Sequence, residues 1–144
     1  MALPESLGVF IAQSRNLILA GSRADGRPHL TPTWFGWDGE RFYVSTTRGR
    51  VKYKIFRRDP RAQLLLDDPV ESRAVLLPAT VEIREDAAAE LPRFRAIREK
   101  YGMKALDDSE HLESLVAEGR VLLAIAPDGP PSTWTSWGLG IDAA

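Results

Sequence analysis

The chain has 144 residues, 44% of them hydrophobic, with nineteen lysines and arginines against twenty aspartates and glutamates and no cysteine. This length and apolar content suit one globular domain with its own core, so residues 1–144 are predicted to form a single domain. The formal net charge of −1 argues against binding to nucleic acid or to a membrane surface. The absence of cysteine excludes disulfides, thiolate nucleophiles and cysteine-based metal sites.

The start of the sequence lacks the basic segment and the apolar run of a signal peptide. No window approaches the roughly 18 apolar residues that a membrane span requires. A cytoplasmic location is therefore expected.

The first third of the sequence predicts a short helix followed by an antiparallel meander. The helix covers residues 4–14, in which Leu7, Phe10 and Ile11 recur at helical spacing. Three strands follow, separated by turns that each hold an Asp-Gly pair: 16–22, 29–37 and 41–46. In the third strand, Phe42 and Val44 are predicted to lie on one face.

The rest of the sequence predicts more strands and three helices. After Thr47 the apolar spacing becomes helical, and Pro60 disfavours helix at the residue before it, which predicts a helix at 48–58. Further elements are predicted as strands at 61–68, 74–85 and 120–127, and as helices at 85–102 and 109–119. The tail holds Trp134 and Trp137, which a disordered tail would rarely keep, so it is expected to dock on a surface.

Six antiparallel strands with few helices define the expected fold class. An alternating βαβ sheet would need a helix between successive strands, and this order does not supply one. The prediction is a mainly β, six-stranded antiparallel β-barrel with peripheral helices.

Positive charge is concentrated in one segment, STTRGRVKYKIFRRDPR, which holds seven basic residues and one aspartate. Thr46 and Thr47 are predicted to lie where a strand ends and a helix begins, followed by Arg48, Arg50 and Lys52. Free backbone N–H groups, hydroxyls and cationic side chains at a helix start are donors for a phosphate. Arg50 and Lys52 lie on different helical faces, so both reach one phosphate only near the helix start.

The charged and polar residues also allow interpretations other than a phosphate site. The sequence alone is equally consistent with a solvated basic helix face that packs through Val51, Ile55 and Phe56 and binds no ligand. His29 and His111 lie on different elements without a third ligand at recognisable spacing, so no metal site is predicted. No nucleophile motif or glycine-rich nucleotide loop occurs, and no catalytic residue is predicted.

The order HLTPTWFGWDGERFYVSTTRGRVKYKIFRRDPRAQLLLDD resembles the flavin-binding split-barrel superfamily of pyridoxamine 5'-phosphate oxidase-like proteins. The segments GRPHLTPTWF and STTRGRVKYKIFRRDPR, joined by a WDG turn, are most similar to split-barrel deazaflavin-dependent oxidoreductases of actinobacteria. The resemblance implies a split barrel that forms a homodimer, with two cofactor sites at the interface, each built from both subunits. In such an arrangement the tail with Trp134 and Trp137 would complete the partner's site.

The resemblance also implies which residues hold the cofactor. Arg50 and Lys52 would grip its phosphate, with Thr46 and Thr47 at the helix start. The ring would lie along a second-strand segment and contact it largely through the backbone: Pro32, Thr33 and Trp34. The surplus basic residues would suit the polyglutamate tail of coenzyme F-420, which FMN lacks: Arg48, Lys54, Arg57 and Arg58.

The implied activity is hydride transfer between F-420 and an unidentified conjugated organic substrate, a small molecule. Two alternatives remain open: an FMN-dependent oxidoreductase of the same fold, and a flavin or haem carrier without turnover. The chain has no arginine after Arg120, whereas pyridoxamine phosphate oxidases close with an arginine-containing segment, so pyridoxamine phosphate is not the expected substrate.

Overall fold

The computed structural model describes residues 2–141, and alternation of buried and exposed side chains accounts for most of its strands. In β5, for example, Ala62, Leu64 and Leu66 are buried and face the core, while the residues between them are more exposed. The described residues form four helices and eight strands in the following order: α1 Glu5–Ala12, β1 Leu17–Ser22, β2 Pro28–Thr33, β3 Gly36–Trp37, β4 Phe42–Thr47, α2 Val51–Arg58, β5 Arg61–Asp68, β6 Arg73–Arg84, α3 Leu91–Lys100, α4 Asp108–Ala117, β7 Arg120–Pro127 and β8 Thr135–Trp137.

The strands form one antiparallel sheet in the order β2-β1-β5-β6-β7-β4-β3, and β8 pairs with β6. The mainly β class, the antiparallel pairing and the peripheral helices confirm that part of the predicted fold. The strand number is eight rather than six, because the predicted strand 29–37 is divided and the tail adds a strand.

The division of strand 29–37 determines how the sheet curls. Thr33 at the end of β2 pairs with Leu17, whereas Gly36 at the start of β3 pairs with Tyr43. β2 and β3 are the two ends of the strand order, and only two residues connect them. Thr33 and Gly36 are three residue steps apart, so their Cα atoms lie at most about 11 Å apart. The two ends of the sheet must therefore lie close together, as a split barrel requires.

The tail docks on its own chain. β8 pairs with β6 through Ala74, Val75 and Leu76, and the side chain of Trp134 is 3% exposed within the main core. The prediction that the tail docks is therefore confirmed, and Trp134 is not free to complete a partner's site. Trp137 is 49% exposed.

Two hydrophobic clusters lie on opposite faces of β4 and β7. Phe42 and Val44 belong to the main core inside the curled sheet, as predicted, whereas Tyr43 belongs to a second cluster with side chains of α3 and α4. In β7, all five side chains of residues 121–125 are buried, as expected of a strand covered on both faces. Helices α3 and α4 are thus fixed over the outer face of the sheet.

None of the helices within residues 2–141 is long and apolar enough to cross a membrane.

Gly21 in β1 packs closely against α2. A Cβ atom at this position would lie 2.8 Å from Ile55 Cγ2 and 2.9 Å from Phe56 Cζ. We expect Gly21→Ala to lower the free energy of unfolding by about 1–3 kcal/mol, because the packed core must move apart. Denaturant unfolding would measure this change, with Gly8→Ala as control, since a Cβ at Gly8 meets no atom within 4 Å. Equal stability of the wild type and Gly21→Ala would contradict the close packing of α2.

Candidate functional site

A cleft of about 380 Å³ lies between the sheet and helices α3 and α4. Its sheet side comes from the end of β2, the end of β4, the start of α2 and the start of β7. Six of the eight residues predicted to bind the cofactor line it: Pro32, Thr33, Trp34, Thr46, Arg50 and Lys52. The fold thus brings together two segments that the sequence separates by about a dozen residues.

Helix α2 begins later than predicted. A turn at residues 48–50, closed by a hydrogen bond from the Arg50 N–H to the Thr47 carbonyl, separates β4 from Val51, the first helical residue. Thr46 and Thr47 therefore belong to the strand and not to the helix start. Arg50 is the N-cap residue and makes no side-chain capping hydrogen bond, so the first N–H groups of α2 have no acceptor from it.

The cationic end of the cleft contains Arg50, Lys52 and Arg120. Burial lowers the pKa of Lys52, and the positive charges of Arg50 and Arg120 lower it further. No carboxylate contributes to this shift, and within residues 2–141 neither Arg50 nor Lys52 forms an ion pair. Such a group of cations is stabilised by binding an anion.

Arg120 was missed by the sequence analysis. Its Nε donates to Glu118 at 3.1 Å, and its Nη1 lies 3.4 Å from the Ser45 hydroxyl oxygen, to which it donates. It reaches the cleft because β7 pairs with β4, with Arg120 opposite Thr47. No local pattern predicts this pairing between segments more than 70 residues apart.

The lowered pKa of Lys52 predicts a pH dependence of anion binding. The charged ammonium binds the anion, so affinity is complete below the lowered pKa and falls as pH rises through it, at a pH below the ordinary value of 10.5. We expect Lys52→Arg to keep its affinity at that pH, because a guanidinium stays protonated. Titration of the cofactor at a series of pH values would show this, and identical profiles for the two proteins would refute it.

The remaining basic residues of the segment lie outside the cleft lining. Arg48 Nε donates to Glu85 at 3.1 Å, and the same carboxylate oxygen accepts from Tyr53 at 2.7 Å. Arg58 donates to the Ser22 carbonyl. Thr47 and Arg48, both predicted to bind the cofactor, are therefore not brought to the cleft with the other six residues.

Trp34 presents an aromatic surface at the cleft. Its side chain is 43% exposed and stacks on Tyr101, with ring centroids 4.6 Å apart and planes inclined by 6°. The Tyr101 hydroxyl donates to the Arg15 carbonyl at 2.6 Å and accepts from the Phe35 N–H at 3.2 Å. Burial raises the pKa of Tyr101, so this hydroxyl stays protonated at neutral pH. The indole is thus held in a fixed orientation.

The helix side of the cleft includes three buried apolar side chains, those of Phe94, Ile97 and Leu115. His111 is also buried here, and burial lowers its pKa, helped by Arg98 and Arg95. It is therefore a neutral imidazole at neutral pH.

The second histidine is part of a different surface. Burial lowers the pKa of His29, as do Arg23 and Lys52, and Arg23 Nη2 lies 3.2 Å from its Nδ1. Among the residues described here, no three histidine or acidic side chains are placed to hold a metal ion.

Solved structures with this fold include proteins of different function. A conserved hypothetical protein from Mycobacterium tuberculosis matches with a TM-score of 0.78 and 26% identity, covering 95% of this chain and 86% of that one. An F420 reductase matches with a TM-score of 0.73 and 22% identity, covering 92% and 98%. The haem storage protein from Vibrio cholerae matches with a TM-score of 0.74 and 18% identity, covering 97% and 98%. At these identities the last two comparisons show a shared fold.

A family comparison identifies the chain more closely. The family model described as pyridoxamine 5'-phosphate oxidase matches residues 3–129, most of the sequence. The match spans the two segments that line the sheet side of the cleft, including Trp34 and Lys52. This protein is a member of the pyridoxamine 5'-phosphate oxidase family, within the split-barrel superfamily that also includes an F420 reductase.

Proposed function

We propose that this protein is an oxidoreductase that transfers a hydride between coenzyme F-420 and a conjugated organic acceptor. The observation that carries the proposal is the end of the cleft at Arg50 and Lys52, two cations that form no ion pair within residues 2–141 and that line the cleft together with the end of β2. A ribityl cofactor with a phosphate at one end and a planar ring at the other matches this arrangement.

The residues present fit such a cofactor in charge and in size. A volume of about 380 Å³ falls within the range of small-molecule sites. Lys52 is half-buried without a carboxylate, so binding a phosphate there would offset the repulsion from Arg50 and Arg120.

The backbone of β2 offers a surface for the ring. β2 is an edge strand, so the N–H and C=O groups on its outer side have no strand partner. Pro32 and Thr33 at its end would lie along the ring, as the resemblance implies, and Trp34 would continue this surface.

The protein's part in the reaction would be binding, orientation and exclusion of water. When bound, a reduced deazaflavin supplies a hydride, and a proton from water completes the two-electron reduction of the acceptor. The buried side chains Phe94, Ile97 and Leu115 keep water from one wall of the cleft. No side chain needs to act as an acid or base for hydride transfer itself.

Parallel titrations with F-420 and FMN test the cofactor. Trp34 lines the cleft, so quenching of intrinsic tryptophan fluorescence reports a ring bound nearby. We expect tight binding of F-420 and weak binding of FMN. Tight binding of FMN alone would make the protein a flavin enzyme, and binding of neither would overturn the proposal.

FMN is the first alternative, because its phosphate would be held by the same cations. The basic residues assigned to the polyglutamate tail lie outside the cleft lining, so the expected preference for F-420 would come from contacts of its tail beyond the cleft: Arg48, Lys54, Arg57 and Arg58.

A haem carrier is the second alternative, and one observation favours it. His111, neutral and buried, lines the cleft beside apolar side chains, and a neutral imidazole is a ligand for haem iron. A Soret band after addition of haem, lost in His111→Ala, would support this function over hydride transfer.

We further propose that the protein acts as a homodimer with cofactor sites at the interface. Leu30 of β2 is 57% exposed, and Val51, which lies between the cleft-lining residues Arg50 and Lys52, is 46% exposed. Burial of such apolar surface favours association. Sedimentation analysis would test it, and a monomer at micromolar concentration with full cofactor affinity would contradict it.

A further inference from the structure

The cleft has two polar ends, and the proposed cofactor phosphate uses only one. Helix α4 runs along it, with His111 near its start and Glu118 just after its end. Seven residues separate these two side chains, which corresponds to about 10 Å along a helix. One end of the cleft, near Glu118, contains Lys52 and Arg120. The other end, near His111, contains Arg98.

Arg98 is an incompletely paired cation at this second end. Its Nη2 donates to the Lys104 carbonyl at 2.8 Å, but its buried Nε has no hydrogen-bond partner among the residues that the structure describes. Within residues 2–141, Arg98 forms no ion pair with a carboxylate, although Arg95 on the same helix pairs with Asp108. A buried guanidinium nitrogen without an acceptor is costly unless a ligand provides one.

His111 adds a second polar group beside Arg98. It is 5% exposed, and its ring makes no hydrogen bond among the described residues. It lines the same cleft as Arg98, and the charge of Arg98 is one of the influences on its pKa. The neutral imidazole offers one N–H donor to an oxygen held by Arg98.

The aromatic surface of Trp34 lies at this same end. Tyr101, on which Trp34 stacks, directly follows the last residue of α3, and Arg98 belongs to the last turn of that helix. Ile97 fills the cleft wall next to Arg98. A flat, fixed indole next to an incompletely paired guanidinium is a recognition surface for a planar molecule with an acidic group.

We infer that this end of the cleft is the subsite for the hydride acceptor, and that the acceptor is a planar conjugated compound carrying a carboxylate. Trp34 would stack on its conjugated plane, and Arg98 would bind its carboxylate together with His111. That the bound compound accepts a hydride rests on the proposed function, but the subsite itself is defined by the protein's own residues. Arg98 is a specificity-determining residue in this arrangement.

The test uses trans-cinnamate and its uncharged analogue cinnamamide as probes. Calorimetric titration of the wild-type protein, with and without F-420, gives the affinity for each probe. We expect cinnamate to bind more tightly than cinnamamide, and Arg98→Gln to weaken cinnamate by about ten-fold or more without changing cinnamamide. Trp34→Leu should weaken both probes. Arg95→Gln is the matched control, because Arg95 lies one helical turn before Arg98 and outside the cleft lining. This variant should change the affinity for neither probe.

The outcomes separate this inference from the proposed function. If F-420 does not bind but the loss of cinnamate affinity in Arg98→Gln is seen, the subsite stands and the proposed cofactor is wrong. If Arg98→Gln weakens F-420 binding and leaves the preference for cinnamate over cinnamamide unchanged, Arg98 serves the cofactor and the inference is overturned. Absence of cinnamate binding to the wild type in both forms overturns it as well.

Discussion

Lys52→Ala is expected to weaken binding of F-420 by about ten-fold or more, because a charge-assisted hydrogen bond contributes about 1.5–3 kcal/mol. Lys52 is half-buried and without a carboxylate partner, so little solvent screens its charge from a bound phosphate. Arg50 is exposed, and we expect a smaller loss for Arg50→Ala. Fluorescence titration of each variant measures the change in Kd.

Two further variants complete this experiment. If both side chains contact one phosphate, the double variant should lose less than the sum of the single losses in binding free energy. Arg61→Ala is the matched control, since Arg61 is an exposed basic residue of the same segment, lies outside the cleft lining and is not assigned to the polyglutamate tail, and it should retain wild-type affinity. Unchanged affinity in both single variants, with thermal unfolding intact, would place the phosphate elsewhere.

Local patterns predicted those elements whose burial follows a single period. Strand β5 was predicted with the bounds that the structure shows, and α1 with its three buried residues, because each has one continuous interface with the core. The apolar residues then recur every 3.6 residues in a helix or every second residue in a strand, and this spacing can be seen in the sequence. Strand β7 is buried on both faces, and its continuous apolar run predicted its bounds instead.

The places where prediction was wrong have a common physical cause. The segment 29–37 has the composition of one continuous strand, so its local pattern does not mark the change of partner between Thr33 and Gly36. A proline inside a strand favours an edge position or a bulge, yet Pro78 lies in β6, which is an inner strand. On the side of β6 that faces β7 and β8, Pro78 lies between the residues that pair with β8 and those that pair with β7. Its missing N–H therefore interrupts no ladder on that side. Changes of strand partner are decided by tertiary contacts.

The same limit applies to the candidate site. The sheet side of the cleft could be named from the sequence because Arg50 and Lys52 lie in one short charged segment. The helix side could not, because Arg98 and His111 join it through the packing of α3 and α4 on the outer face of β4 and β7. Arg48 shows the opposite error, since its membership of the charged segment gave no indication of its ion pair with Glu85.

Trp134→Ala is expected to lower the free energy of unfolding by about 3–5 kcal/mol, the usual cost of truncating a buried tryptophan. The side chain is 3% exposed in the main core, and its Nε1 donates to the Gly129 carbonyl at 2.9 Å. Loss of the Trp134 side chain would also weaken the docking of β8, which directly follows it. The docking of β8 depends as well on the turn that follows Trp137. In that turn Gly138 has a φ of +66°, and a Cβ there would lie 2.4 Å from the Ser72 carbonyl oxygen.

Trp137→Ala, in the adjoining strand β8, is the matched comparison and should cost much less, within about 1 kcal/mol, because its side chain is half-exposed. Denaturant unfolding of the two variants measures the difference through the shift in midpoint at constant slope. Equal destabilisation would mean that the tail is held by its backbone pairing with β6 rather than by Trp134. A large loss in Trp137→Ala alone would mean instead that the exposed indole is buried by a second subunit, which is the role that the resemblance to split-barrel dimers implies for the tail.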